Sequence, residues 1–185
     1  MLVLASRSPR RAELLRSAAI EFSVRAADID EAPVAGEDPL DYVLRVAKDK
    51  ARAVVAAPQE LVLAADTIVV LGSEIMGKPR DADHAVRMLT ALSGRKHEVI
   101  TGICFRRGEE ILPDAVSTAV WITALNEQEI RDYVASGEPM DKAGAYGIQG
   151  IASRFIDRIE GSYTNVVGLP VGLVYQHLRT LTSQA

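Results

Sequence analysis

The chain has 185 residues, 48% hydrophobic and 25% charged, with a formal net charge of −4. That is the composition of an ordinary globular protein large enough to bury a core, as one domain or as two closely joined lobes. It excludes a general electrostatic pull toward nucleic acid, and no apolar run approaches the length of a membrane span.

Cys104 is the only cysteine, so neither an intrachain disulfide nor a cysteine-based metal site is available. His84, His97 and His177 are widely spaced and match no zinc motif. The opening apolar stretch is too short for a signal-peptide core, so the expected location is the cytoplasm.

Leu2 to Ala5 read as a strand buried on both faces, and Ala12, Leu14 and Leu15 begin a helical spacing. Between them lies SRSPRR, with Ser8 at an N-cap and Pro9 at the first helical position. Unpaired amides, two hydroxyls and three arginines there suit a small anion such as phosphate, although a capped helix with solvated arginines explains the stretch equally well. Asp28 to Pro39 is an acidic loop. Asp38 and Pro39 then start a helix expected to run to Ala56, with Tyr42, Val43, Val46, Ala47, Lys50 and Ala51 on one face.

Leu61 to Leu71 is a central strand, turned by Gly72 and Ser73 into a shorter one at Glu74 to Met76. A helix from Asp81 to Leu92 precedes two long strands, His97 to Arg106 and Ile111 to Thr123, joined as a hairpin near Gly108. Asn126 and Glu129 form a capping box for a helix ending near Ser136. The glycine-rich DKAGAYGIQG leads into a strand at Arg154 to Ile159, and an apolar helix follows GSYTNVVGLP. Strands alternating with helices, plus one hairpin, imply a mixed α/β sheet covered by helices.

Asp66 is the strongest single chemical signal, because a carboxylate in an apolar strand is costly to bury unless it is paired or bound to a cation. An aspartate bonded to amides at a strand end is the structural alternative. Lys50 on an inward helix face and Lys78 after a glycine turn are weak signals separately. Taken with the arginines, Asp66 and the Asp30 and Glu31 pair, they make the inventory that a triphosphate and a divalent cation require. No P-loop motif and no dinucleotide fingerprint are present. Gln149, between flexible positions, offers an amide that both donates and accepts, as a nucleobase edge requires.

LASRSPRR, AADTIVV, GKPRD, LSGRKHEVITG, DKAGAYGIQG and GSYTNVVGLP resemble, in order and over essentially the whole chain, the signature blocks of the Maf family of nucleoside triphosphate pyrophosphatases. The resemblance implies a cytoplasmic enzyme, one domain over residues 1–185. Its fold would be an elongated mixed sheet flanked by helices, with a deep cleft between two lobes as in inosine triphosphate pyrophosphatases. The reaction would cleave a nucleoside triphosphate between its α- and β-phosphates, with a divalent cation (Mg or Mn). A homodimer is expected, with no nucleic-acid or membrane partner.

Residue by residue, the resemblance gives Ser8, Arg10 and Arg11 the phosphate loop, Glu31 the acidic loop, Lys50 and Lys78 the triphosphate, and Asp66 the role of catalytic acceptor. Arg10, Thr67 and Gln149 match the set of members acting on dTTP and UTP, with CTP and modified pyrimidine nucleotides as further substrates in a house-cleaning role. The branch resembling 7-methyl-GTP pyrophosphatases carries Trp, Gln and Glu there. Arg7 departs from the small residue of many relatives. Asp66 and Glu31 would hold the metal. An aspartate with an ordinary pKa of about 3.9 is a poor base, so Asp66 as proton acceptor and Asp66 as pure metal ligand both stay open. Two rivals are a nucleotide-binding regulator of cell division without turnover, which has no need of Asp66, and a nucleic-acid-binding module, disfavoured by the acidic charge.

Overall fold

The computed structural model describes residues 1–26 and 28–183. In chain order the elements are β1 (Leu2–Leu4), α1 (Pro9–Ser17), β2 (Ser23–Val24), α2 (Pro39–Ala53), β3 (Leu61–Leu71), β4 (Glu74–Met76), α3 (Ala82–Leu92), β5 (Lys96–Arg107), β6 (Glu110–Ile122), α4 (Glu127–Ala135), β7 (Ile156–Glu160), α5 (Tyr163–Val167) and α6 (Val171–Ser183). Short 3₁₀ turns fill much of the segment between α4 and β7. The strands form a seven-stranded mixed sheet in the order β2-β1-β3-β5-β6-β7, with β4 also paired to β3. Among the described residues no helix is long and apolar enough to cross a membrane.

The chain divides into two compact units. The first comprises Met1–Thr67, Thr101–Val116 and Gly168–Ala185, and the second Ile68–Ile100 and Ser117–Val167. In the first unit β1 runs parallel to β3, with Leu2, Val3 and Leu4 opposite Leu61, Val62 and Leu63. Alternation along these strands builds two cores. Leu2, Leu4, Leu61, Leu63 and Ala65 pack with Ala12 and Leu15 of α1 and Val174 of α6. Val3, Ala5, Val62 and Ala64 pack with Ala47 and Ala51 of α2. Both faces of the sheet are covered, which is why these strands are apolar without a polar side.

Close approach of α2 to β5 depends on Gly102, where a Cβ would stand 2.5 Å from the Val43 carbonyl oxygen. Helix α2 stops at Ala53, short of the expected Ala56. Val54 is extended, and the Arg106 side chain takes the helix's last carbonyls, donating to Ala51 O and Val54 O at 2.7 Å each.

The second unit has one core, formed by Val69 and Leu71 of β3, Ala85, Met88, Leu89 and Leu92 of α3, Ile130, Tyr133 and Val134 of α4, and Val120 and Ile122 of β6. Asn126 closes the expected capping box with Glu129. Strand β7 starts two residues later than expected because Ile151–Phe155 winds into a 3₁₀ turn.

Candidate active site

The β1–α1 connection is organised by hydroxyls. Ser8 caps α1, accepting from Arg11 N at 3.4 Å, and Ser6 Oγ accepts from Ser8 N at 3.2 Å. Pro9 occupies the first helical positions, as its missing donor allows. Arg11 shares a helix face with Ala12 and Leu15 and so points inward, only 9% exposed. Its guanidinium donates to Gly168 O at 2.8 Å, Ser6 Oγ at 3.1 Å and Thr67 Oγ1 at 3.0 Å. Burial lowers its pKa, an effect opposed by the nearby Asp66 and Glu31 charges and reinforced by Arg10. Arg11 therefore ties the loop to the middle of β3 and to the approach to α6, while Arg10 beside it is half-buried.

Asp66 sits near the middle of β3, 6% exposed. Lys50, in the last turn of α2 where the helix dipole favours a cation, brings its ammonium 2.7 Å from Asp66 Oδ1. The same ammonium is 3.1 Å from Glu31 Oε1. Exposure rises across this trio, the side chains of Asp66, Lys50 and Glu31 being 9%, 12% and 53% accessible, so it leads from the strand out to solvent. Among the described residues no group of three or more His, Cys, Asp or Glu side chains is placed to hold a metal ion. Two carboxylates converging on one cation make a hard oxygen donor set of the size Mg²⁺ or Mn²⁺ uses when substrate and water supply the remaining ligands.

Thr67 follows Asp66 with its hydroxyl already engaged, at 3.0 Å from Arg11 Nη2, 2.9 Å from Thr101 Oγ1 and 3.3 Å from Gly168 O. One donor and two lone pairs are thereby accounted for, leaving size and the methyl group as what Thr67 offers a ligand. The neighbouring acids divide their work. Asp30 accepts from Ala32 N at 2.9 Å and shapes the loop, whereas Glu31 goes to Lys50. Arg7 pairs with Asp28 at 2.7 Å on the surface.

Lys78 and Gln149 belong to the second unit, and both are exposed. Their segments are joined by Gly144 N donating to Gly77 O at 3.0 Å. Gly144 has φ +67°, and a Cβ there would lie 2.7 Å from Val69 Cγ2, so only glycine fits. Glu138 holds the turn after Gln149, accepting from Ile151 N at 2.8 Å and from Tyr133 Oη at 2.9 Å.

The inward course of Arg11, and with it the Ser6, Thr67 and Gly168 network, was not expected from the sequence. Its signal was the helical spacing of Arg11 to the core residue Leu15.

The chain is similar in sequence and in fold to known proteins. A dTTP/UTP pyrophosphatase of Anaeromyxobacter dehalogenans is 57% identical over 174 residues, covering 92% of this chain and 88% of that protein. One from Geobacter metallireducens is 56% identical over 183 residues, 97% of this chain and 95% of that one. Among solved structures, a HAM1 protein from Coxiella burnetii aligns with a TM-score of 0.50 at 20% identity, over 100% of this chain and 98% of that one, which shows a shared fold. The family model described as Maf-like protein matches residues 1–181, the span that contains every element of the loop, the trio and the glycine-rich turn, and the chain belongs to the Maf family.

Proposed function

We propose that this chain is a nucleoside triphosphate pyrophosphatase that hydrolyses dTTP and UTP. A water oxygen bonds to the α-phosphorus, the bond from that phosphorus to the α–β bridging oxygen breaks, and the monophosphate and pyrophosphate leave. The observation that carries this reading is the buried Asp66 carboxylate held by Lys50 and opened toward solvent through Glu31. A protein that only bound nucleotide would gain nothing from a desolvated acid beside an anionic ligand. The names borne by the curated relatives agree with it.

In this mechanism Asp66 accepts a proton of the attacking water, and Lys50 keeps the carboxylate oriented while adding positive charge beside the phosphates. Ser8 and Arg10, at the start of α1, present a hydroxyl, a guanidinium and the helix's positive end to the triphosphate. Arg11 supports them from beneath, as a buried positive charge that fixes the loop. Asp66 and Glu31 would hold a divalent cation, Mg²⁺ or Mn²⁺, which when bound lowers the pKa of water and neutralises phosphate charge. Lys78 is assigned to the leaving pyrophosphate, Thr67 to the shape of the nucleotide site and Gln149 to the base edge, on the strength of the family resemblance.

The same reading takes residues 1–185 as one functional domain, assembled as a homodimer in the cytoplasm, and light scattering tests the assembly against the monomer mass of 20.0 kDa. The activity is tested by incubating the protein with UTP and Mg²⁺ and measuring phosphate with and without added inorganic pyrophosphatase. Phosphate that appears only with the added enzyme supports the proposal. Phosphate released without it, or no turnover at all, refutes it.

A further inference from the structure

The segment from Asp28 to Asp38 has neither helix nor strand, yet it delivers the Glu31 carboxylate to 3.1 Å from Lys50. Something other than a backbone ladder has to hold it there. We infer that Tyr42 and Arg45, on α2, are positioning residues that clasp this loop so that Glu31 meets Lys50 and Asp66; the inference rests on the role given to Glu31 above.

Tyr42 is 7% exposed, and its hydroxyl donates to the Glu31 carbonyl at 2.7 Å, fixing the backbone of the acidic residue itself. One residue on, Arg45 Nη2 donates to Ala32 O at 3.1 Å. The same guanidinium grips Glu37 with both arms, Nε to Oε1 at 2.6 Å and Nη2 to Oε2 at 2.7 Å, a geometry that lysine cannot reproduce. Glu37 in turn accepts from Val34 N at 3.1 Å, and Asp38 caps α2 through Leu40 N at 2.9 Å. The loop is thus held at its acidic residue and again where it enters the helix. Arg45 Cζ lies 5.4 Å from the centroid of the Tyr42 ring, so the two clasp residues also brace each other.

Their placement on the helix explains why one element does both jobs. Tyr42, Val46 and Lys50 are spaced by four and lie on one stripe, and Arg45 is the neighbour three residues from Tyr42. Helix α2 therefore sets the position of Lys50 and the position of the loop that meets it. Fixing the loop in advance removes an ordering cost that would otherwise fall on ligand binding.

The test uses Tyr42→Phe, which keeps the ring and loses the hydroxyl, and Arg45→Met, which keeps the stem and loses the fork. Two readouts need no turnover: hydrogen exchange of the amides of residues 28–38, and affinity for Mn²⁺ alone by electron paramagnetic resonance. Loss of one such hydrogen bond corresponds to about a threefold to tenfold change. Exchange in the loop should speed up by at least that factor while β3 amides stay unchanged, and Mn²⁺ should bind more weakly by a similar factor. With UTP, the metal concentration for half-maximal rate should rise while kcat at saturating metal stays near wild type. Should Arg45→Met lose the fold, Glu37→Gln breaks the same ion pair from the loop side and carries the same expectation. Wild-type loop exchange and wild-type Mn²⁺ affinity in these variants overturn the clasp. Glu31→Gln separates the two levels: if it leaves Mn²⁺ affinity unchanged, the role of Glu31 fails, and fast loop exchange in the clasp variants still shows that the loop is held as described.

Discussion

Replacing Arg11 with methionine keeps most of the stem and removes the guanidinium. Three acceptors lose a donor: Gly168 O at 2.8 Å, Ser6 Oγ at 3.1 Å and Thr67 Oγ1 at 3.0 Å. A buried acceptor left without its donor costs about 1–3 kcal/mol. Two of the three are partly compensated, because Ser6 Oγ still accepts from Ser8 N and Thr67 Oγ1 still meets Thr101 Oγ1. The Gly168 carbonyl keeps its longer 3.3 Å contact with Thr67. The variant also escapes the desolvation that burial imposes on the guanidinium. The net expectation is a loss of roughly 3 kcal/mol. For a chain of this length that lowers the melting temperature by about 6–12 °C. Thermal melting followed by circular dichroism, with urea unfolding alongside, reads the loss, and kcat/KM for UTP falls in parallel because the loop carrying Ser8 and Arg10 is released. A variant that melted with the wild type while its kcat/KM collapsed would refute the reasoning, since it would put the guanidinium on the phosphates and not in the protein network.

Asp66→Asn should keep nucleotide affinity and lose about 10²–10⁴-fold in kcat, the range of a general base; wild-type turnover removes Asp66 from the mechanism. The protein should hydrolyse UTP and dTTP well, CTP less well and 7-methyl-GTP poorly. Arg10→Trp, Thr67→Gln and Gln149→Glu together should shift kcat/KM toward the methylated purine, and a wild-type preference for that purine would sink the assignment. Burial holds the His97 pKa down to about 4 from its ordinary 6.5, so between these values the unfolded chain takes up a proton that the folded one refuses. Stability should therefore fall as the pH drops through that window, by roughly 3 kcal/mol in all. His97→Gln should lose less stability than wild type between pH 7 and pH 4.5 in urea titrations, and an equal loss would contradict the assignment.

Elements whose residues speak locally were legible in the sequence. Leu61–Leu71 and Glu74–Met76 fall where the apolar runs and the Gly72 turn put them. The caps at Ser8 and Asn126 form, and Asp38 caps the helix it was expected to start. Asp66 was legible as an interruption of apolar sequence and Lys50 as a cation on an inward face, and the structure brings the two together. Strand β2 was not legible, because two residues, Ser23–Val24, show no period. Nor was α5, whose Tyr163, Thr164 and paired valines favour extended backbone until tertiary packing overrides them. The sequence groups the arginines around one anion, whereas in the structure Arg7 pairs with Asp28 and Arg11 turns inward. The partners that decide this are long-range: Thr67 and Gly168 stand 56 and 157 residues from Arg11, beyond any local pattern.

The position of β1 within the sheet bears on how the chain folds as it is made. Leu2–Leu4 is paired on both sides, to β2 and to β3, and its three residues are buried. The partner on one side, Leu61–Leu63, is synthesised well after it. The first strand therefore leaves the ribosome as an apolar segment whose main partner does not yet exist, and its burial waits on closure of a long loop. At about 5–20 residues per second, that wait lasts seconds. During it the segment is a natural contact for a chaperone, and slower translation of the stretch before Leu61 should lengthen its exposure and lower the yield of folded protein.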